Sequence, residues 1–280
     1  MFKPIVGKLV LAFLFIAVVL YAIAQCSHNA DASLDMPQKV EQHIAIVSAS
    51  TSMTLISAAP AASVPDDALD ALVNYVFDAM TKWNKGPMAG AATRLRAIAS
   101  DIAVVARREP RIWKDSNGAR EAILLASIGF HESRFRDYVY NFDCNRWAAE
   151  AYKKTGSLNL SVLPLEAQKL MTLGTCDGGI ALDVTQTHLE CGGVYLLDDG
   201  SWQSACSPMP RKGIVSFVSK ETVLAGDHRS LLRVALAMAR QSIRAGAGLR
   251  NYVGGAGPER SRMASQRLDF ALSWSARHPY

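Results

Sequence analysis

Apolar residues recur at intervals of three and four along most of the chain beyond residue 65, which is the spacing of helices that bury one face. This pattern predicts helices whose apolar positions lie within Leu69–Met80, Leu95–Val105, Ala122–Glu132, Leu165–Leu173, Leu232–Ile243 and Met263–Trp274. Pro65-Asp66 is expected to open the first helix, and Asp115 and Ser116 offer N-cap oxygens to the third. The domain is therefore predicted to be mainly α-helical.

The segment 176–218 departs from this pattern. It contains Gly-Gly and Asp-Gly pairs, two prolines and a β-branched run from Ile214 to Val218. These features predict loops and short strands, the kind of structure that lines a cleft. Residues 66–280 together predict one domain of the α+β class, mainly α, with a helical body and a small irregular or β lobe.

The first 65 residues predict targeting and tethering. Residues 1–24 combine Lys3 and Lys8 with a charge-free apolar run and an Ala-Ile-Ala sequence, the features of a signal peptide. The run approaches the length of a membrane span, so an uncleaved anchor is the alternative, and lipidation of Cys26 is a minor one. Residues 25–65 are rich in Ala, Ser and Thr and predict a flexible linker. We therefore expect an exported protein, in the periplasm or cell envelope.

Cysteine usage agrees with export. Beyond the N-terminal segment the chain has four cysteines, an even number typical of two disulfides in an oxidising compartment. Three pairings are open, and Cys144–Cys176 with Cys191–Cys206 is preferred because it closes the shortest loops. A metal site of Cys176, His188 and Cys191 is the competing interpretation, but its spacing fits no zinc pattern. We expect no metal and no cofactor.

The charge balance bears on one class of partner. The chain has 30 Lys and Arg against 25 Asp and Glu, a net charge of +5, which becomes +3 (28 against 25) if Lys3 and Lys8 are cleaved off. The basic residues are scattered over helices that also carry acids, and the sequence has no basic stripe interleaved with aromatics. No nucleic-acid partner is expected, whereas a mildly basic surface suits an anionic polymer.

The third helix carries the strongest candidate for chemistry. Leu125, Ile128 and Glu132 share one stripe, with Gly129 beside them. A carboxylate at the end of an apolar stripe is partly desolvated, which favours the protonated form that a general acid needs. Gly129 leaves space for a bulky group to approach that carboxyl. On pattern alone, Glu132 could also simply mark the point where the helix reaches solvent.

Ile128-Gly-Phe-His-Glu-Ser-Arg-Phe135 resembles the catalytic helix of the lysozyme-like lytic transglycosylases, the superfamily of the soluble lytic transglycosylases and goose-type lysozyme. The resemblance implies a lysozyme-like fold with Glu132 as the catalytic acid. Ser133 would orient that carboxyl or touch the substrate, although a polar residue at a helix C-terminus gives the same pattern. His131 is interpreted as a framing histidine with satisfied hydrogen bonds rather than as a second base.

Two further segments resemble that family in its own order, and the resemblance spans roughly residues 92–276. The first runs from Cys176 to His188 and is closest to the phage-type variant, which implies that the Gln186 amide binds sugar substituents. The second, Leu-Arg-Asn-Tyr-Val-Gly-Gly, implies that the Tyr252 hydroxyl reaches the acid or the substrate. On pattern alone, Gln186 is a surface residue and Tyr252 a tyrosine buried under a turn.

The resemblance also implies a reaction. Glu132 would protonate the bridging oxygen of the β-1,4 bond between N-acetylmuramic acid and N-acetylglucosamine. As a carboxylate it would then deprotonate the C6 hydroxyl, which attacks C1 and leaves a 1,6-anhydro end. Peptidoglycan glycan strands are the expected partner, together with the membrane if residues 1–24 stay attached, and an envelope or secretion assembly is a further candidate.

Two other functions stay open. Asp183 stands where the family has Gly or Ser, and it leads Asp143 and Asp177 as a candidate second carboxylate. If Asp183 faced Glu132 across the cleft, hydrolysis by water would become plausible, as in a lysozyme. The departures at Asp183 and around Tyr252 also suit a non-catalytic peptidoglycan-binding envelope protein. A zinc amidase or peptidase is disfavoured because the chain has no His-Glu-x-x-His sequence.

Overall fold

A computed structural model describes residues 66–84, 91–114, 116–173, 176–211, 213–252 and 257–280. The predicted signal peptide or anchor, residues 1–24, and the predicted linker, residues 25–65, lie outside the described residues, as does Asp115. Among the described residues, none of the helices combines the length and the hydropathy that crossing a lipid bilayer requires.

The described residues form a mainly helical domain with one small antiparallel sheet, which confirms this part of the predicted fold class. In chain order the elements are α1 (Asp66–Trp83), α2 (Ala91–Arg108), α3 (Ala119–Ser133), α4 (Asp137–Tyr140), α5 (Asp143–Thr155), α6 (Leu165–Thr172), β1 (Gly193–Leu197), β2 (Trp202–Ser204), β3 (Ile214–Ser219), α7 (Lys220–Leu224), α8 (His228–Arg244) and α9 (Pro258–Arg277). Short 3-10 turns lie between them, including Asp177–Gly179 and Arg250–Tyr252.

All the helices predicted from apolar spacing are present, and the structure adds α4, α5 and α7. Helix α5 buries Cys144, Ala148 and Ala151 on one face and ends at Gly156, whose φ of 72° is one that glycine adopts without strain. Its buried side chains are small and its mean hydropathy is low. Few large apolar side chains therefore mark α5 in the sequence.

Helix α3 is the centre of the helical body. All but three of its fifteen residues are buried, and it packs against α1, α2, α8 and α9. Because neighbours surround it, α3 is apolar on nearly every side rather than along the single stripe that the sequence suggested. Its position places its C-terminal end, with Glu132, against α9.

The N-terminus of α3 is not capped by a side-chain oxygen as the sequence predicted. Gly118, with a φ of 87°, precedes the helix, and no side chain caps it. The Ser116 hydroxyl instead donates to the carboxylate of Glu121, which also accepts the backbone N–H groups of Ile112 at 2.8 Å and Trp113 at 3.0 Å. Glu121 is fully buried and is the third helical residue, so its carboxylate binds the preceding loop much as in a capping box. The predicted N-cap role of Ser116 is wrong.

The space beside Gly129 is occupied by the protein itself. A Cβ atom on Gly129 would lie 2.7 Å from Cε1 of Phe135, so the ring of Phe135 lies directly on this glycine. Arg134 and Phe135, with φ of 54° and 53°, turn the chain back onto the helix. The expectation that Gly129 admits an outside group to Glu132 is therefore wrong, because an internal side chain fills the gap.

The sheet forms the core of the second lobe. Its strand order is β2-β1-β3 and all neighbours are antiparallel, with Val194 opposite Val218. Val194, Leu196 and Val218 are buried and pack with residues of α8, whereas Phe217 on the other face of the sheet is half exposed. The β-branched run at Ile214–Val218 thus forms the predicted strand.

The disulfide pairing preferred from loop length is confirmed. Cys144–Cys176 joins α5 to the turn at Asp177–Gly179, and Cys191–Cys206 closes the loop that contains β1 and β2. The competing metal site of Cys176, His188 and Cys191 is contradicted, because both of its cysteines are bonded to other cysteines. The described residues contain no cluster of three metal-ligating side chains.

We predict that Gly129→Ala destabilises the protein although alanine is the better helix former by about 1 kcal/mol. Overpacking against the Phe135 ring should outweigh that gain and leave a net loss of about 1–2 kcal/mol in the free energy of unfolding. Urea unfolding measures this loss. In a Phe135→Leu background, which lacks the nearest ring atom, the same substitution should cost less; an equal cost in both backgrounds would contradict the proposed contact.

We predict that the two disulfides contribute unequally to stability. Cys144–Cys176 spans 32 residues against 15 for Cys191–Cys206. The double variant C144A/C176A should therefore lose about 4 kcal/mol and C191A/C206A about 3 kcal/mol. Urea unfolding without reductant gives both values, with reduced wild-type protein as the control. A larger loss from the Cys191–Cys206 variant would show that loop entropy does not set the order.

Candidate active site

Glu132 lies in the last turn of α3, and its side chain is 18% exposed. Its Oε1 atom accepts a hydrogen bond from Nη1 of Arg267 on α9, forming a partly buried ion pair. The same Nη1 donates to the backbone carbonyl of Tyr252 at 2.7 Å. Arg267 thus joins Glu132 to the turn at Arg250–Tyr252, and its positive charge favours the ionised form of the Glu132 carboxyl.

The residue after Glu132 has a structural task. Ser133 is fully buried, donates its hydroxyl proton to the Gly129 carbonyl at 2.9 Å and accepts the Phe135 N–H at 3.1 Å. These two bonds satisfy backbone groups at the end of α3 and stabilise the turn that follows. The geometry matches the interpretation of Ser133 as a polar residue that ends a helix, and it leaves the hydroxyl no route to a ligand.

Tyr252 approaches Glu132 through its backbone rather than its hydroxyl. The side chain is buried, and its hydroxyl donates to the Ala235 carbonyl on α8 at 2.7 Å. Burial raises the pKa of Tyr252, and a hydrogen bond with Thr187 opposes this shift. The tyrosine therefore holds the Leu182–Thr187 segment, α8 and Arg267 together, which is the buried-tyrosine alternative of the sequence analysis.

Gln186 lies in a tight turn that Leu182 and Thr187 close by two backbone hydrogen bonds of 3.0 and 3.1 Å. Its Nε2 donates to the carbonyl of Asp183 at 3.1 Å, so the amide partly closes its own turn. The side chain is partly exposed, and its amide oxygen makes no hydrogen bond among the described residues. A hydrogen bond between Thr187 and Tyr252 connects this turn to the turn at Arg250–Tyr252, which Arg267 joins to Glu132. The segments that contain Glu132, Gln186 and Tyr252 are therefore linked in the fold.

Asp183 is fully buried, and both of its carboxylate oxygens form hydrogen bonds within the protein. One oxygen accepts the Val184 N–H at 2.6 Å, and the other lies 2.9 Å from Nδ1 of His228. The imidazole stacks on the rings of Tyr140 and Phe142. Burial raises the pKa of Asp183. For His228 burial acts to lower the pKa, but the Asp183 carboxylate outweighs it and the pKa is raised. The pair holds the Gln186 turn against α8.

None of the three candidate second carboxylates is free among the described residues. Asp183 is bound to His228, Asp143 pairs with Arg146, and Asp177 lies 2.8 Å from the ring of His188. The Asp177 side chain is 55% exposed, so its pair lies at the surface. Each of these three carboxylates is therefore engaged with a described side chain other than Glu132.

His131 borders Glu132 and is uncharged near neutral pH. Burial, then the charges of Arg267 and Arg134, lower the pKa of His131 to about 4. Its ring contacts Phe270 edge to face, and its Nε2 is buried and has no hydrogen-bond partner among the described residues. The prediction of a framing histidine with satisfied hydrogen bonds is therefore wrong in its second part.

Arg267 is the site residue that the sequence analysis missed. It precedes Phe270, Ala271 and Trp274 by three, four and seven positions, so it lies on the buried face of α9. An arginine in line with an apolar stripe is unusual unless an acid pairs with it. This spacing could have pointed to Arg267, but only the fold reveals that Glu132 is the acid.

We predict that His131 makes the protein less stable in acid. The pKa of His131 is about 4 in the folded protein, against an ordinary value of 6.5. Between these pH values the imidazole is protonated in the unfolded chain and neutral in the folded one, which favours unfolding. Stability should therefore fall as pH drops from about 6.5 to about 4. In His131→Phe, which keeps a ring against Phe270, urea unfolding at several pH values should show a smaller fall. An unchanged slope would contradict the neutral His131.

No protein-family model, no curated protein sequence and no solved structure matches this chain. A function for it is therefore argued from its own residues and their arrangement.

Proposed function

We propose that this protein is an exported lytic transglycosylase with a lysozyme-like fold, which cleaves peptidoglycan strands at the β-1,4 bond between N-acetylmuramic acid and N-acetylglucosamine. The observation that carries the proposal is the placement of Glu132. Its partly exposed carboxylate ends a buried helix inside the sequence Glu-Ser-Arg-Phe, and the segments of Gln186 and Tyr252 connect to it through Arg267 and Thr187. Two disulfides are consistent with export.

In the proposed reaction Glu132 acts twice. Its protonated carboxyl gives a proton to the bridging oxygen, the C1–O4 bond breaks, and the N-acetylglucosamine side leaves with a free hydroxyl. The Glu132 carboxylate then takes the proton from the C6 hydroxyl of the muramic acid, and O6 bonds to C1. The products together have the composition of the substrate, so no water is consumed and Glu132 ends protonated.

The environment of Asp183 favours this route over hydrolysis. A hydrolase of the usual type needs a second carboxylate to activate water or to form a covalent intermediate. Asp183 is buried and bonded to His228, Asp143 forms an ion pair with Arg146, and Asp177 lies 2.8 Å from Nε2 of His188. A mechanism with one carboxyl group fits this arrangement better than one with two.

A non-catalytic peptidoglycan-binding protein is the second candidate, and two observations favour it. The ion pair with Arg267 favours an ionised Glu132, which cannot donate a proton until that pair is relieved. Ser133 and Tyr252 both form hydrogen bonds within the protein, so fewer groups are available to a substrate than the family resemblance implies.

We predict that the purified protein releases muropeptides with 1,6-anhydro ends from purified sacculi, and that Glu132→Gln lowers this rate by about 10²- to 10⁴-fold. Mass spectrometry of the released products measures the extent of cleavage and distinguishes 1,6-anhydro ends from hydrolysed ends. Glu109→Gln is the matched control, since Glu109 is 17% exposed and paired with Arg233 outside the proposed site, and the change should leave the anhydro product unchanged.

Each alternative gives a different result. Products one water heavier, lost in Asp183→Asn, would indicate a hydrolase. Sacculi that bind the protein but release nothing would favour the binding protein.

A further inference from the structure

Part of the hydrogen-bonding capacity of the Arg267 guanidinium is not used by the described residues. Its hydrogen bonds to Glu132 and to the Tyr252 carbonyl both come from Nη1. Nε and Nη2 make no hydrogen bond among the described residues, and the side chain is 16% exposed. A planar guanidinium can bind a carboxylate through Nε and Nη2 with two parallel bonds.

The charges around Glu132 also favour an anionic ligand. Arg267 and Arg134 both act on His131, the neighbour of Glu132, and together with burial they keep that imidazole neutral. Arg134 is exposed and lies over the Phe130 ring, 4.0 Å from its centroid. Arg267 pairs with Glu132, and Arg134 adds a second positive charge near His131, which favours an anionic ligand at this surface.

The position of Glu132 makes its ionised form depend on Arg267. Glu132 lies in the last turn of α3, where the negative end of the helix dipole disfavours a carboxylate. The nearby guanidinium offsets this effect. If the guanidinium pairs with another anion, the helix end and that anion both push Glu132 towards its protonated form.

We propose that Arg267 is the specificity-determining residue of the site: it exchanges Glu132 for a carboxylate on the glycan substrate, and this exchange releases Glu132 to take up a proton from solvent. The inference rests on the proposed glycan-cleaving function. The Tyr252 carbonyl keeps hold of Nη1 during the exchange, so a small rotation of the guanidinium is sufficient. The substrate carboxylate belongs either to a free lactyl group or to the stem peptide.

Binding measurements test the exchange without relying on cleavage. Calorimetry would compare three tetrasaccharides: neutral N-acetylglucosamine oligomers, peptide-free strands with lactyl carboxylates, and peptide-bearing strands. Wild-type protein should prefer one carboxylate-bearing ligand over the neutral one, and which ligand is preferred identifies the source of the carboxylate. Glu132→Gln should bind that ligand more tightly still, because Glu132 no longer competes for Arg267.

Removal of the guanidinium should erase this preference. Arg267→Gln should lose about 10- to 100-fold in affinity for the carboxylate-bearing ligand and little for the neutral oligomers. Arg267→Lys keeps the charge without the planar fork and should recover part of the loss. Circular dichroism and thermal unfolding confirm that each variant is folded.

Two results would overturn the proposal. One is an equal loss of affinity for all three ligands in Arg267→Gln, which would show that the ion pair only stabilises the structure. The other is a wild-type protein that binds neutral and anionic oligomers alike. If the protein prefers carboxylate-bearing ligands but does not cleave sacculi, the proposed enzymatic activity is contradicted and the recognition of carboxylates by Arg267 is not. If it cleaves sacculi without that preference, the recognition is contradicted and the enzymatic activity is not. The two failures are therefore distinguishable.

Discussion

The burial of α3 on nearly all sides determines how the other long helices of the domain are arranged. A helix that is apolar on nearly every side has to be surrounded, and α1, α2, α8 and α9 surround it. This enclosure brings α9 and the turn at Arg250–Tyr252 to the C-terminal end of α3. Arg267 can reach Glu132 only because α9 packs along α3.

The two carboxylates near the ends of α3 show how position decides role. Glu121 lies in the first turn, where the helix dipole favours a negative charge, and three donors from the preceding loop hold it. Glu132 lies in the last turn, where the dipole opposes the charge, and a single arginine side chain provides its ion pair. The first carboxylate is a fixed structural anchor. The second depends on one side chain from another helix, so it is the carboxylate whose surroundings a ligand that binds Arg267 would change.

The region opposite α3 is organised by a buried acid and a stacked imidazole. Asp183 departs from the family resemblance, and its carboxylate binds His228 at the start of α8 while its carbonyl accepts the Gln186 amide. The Gln186 turn is thereby fixed to α8, and Tyr252 is fixed to the same helix through the Ala235 carbonyl. Asp183 thus holds the turn in place, which accounts for an acid at this buried position.

The sequence by itself determined the elements whose signals are local. Apolar spacing predicted the long helices, turn residues predicted the irregular segment, and loop length favoured the disulfide pairing that the fold contains. It also singled out Glu132, because a carboxylate that ends an apolar run is visible in one stretch of chain. The tertiary structure alone decided what that carboxylate contacts, because Glu132 and Arg267 are 135 positions apart. It also decided that Phe135 fills the space at Gly129, that Ser133 and Tyr252 bond internally, and that Asp183 is buried. Such contacts depend on how helices pack across long separations, and periodicity along one segment carries no information about them.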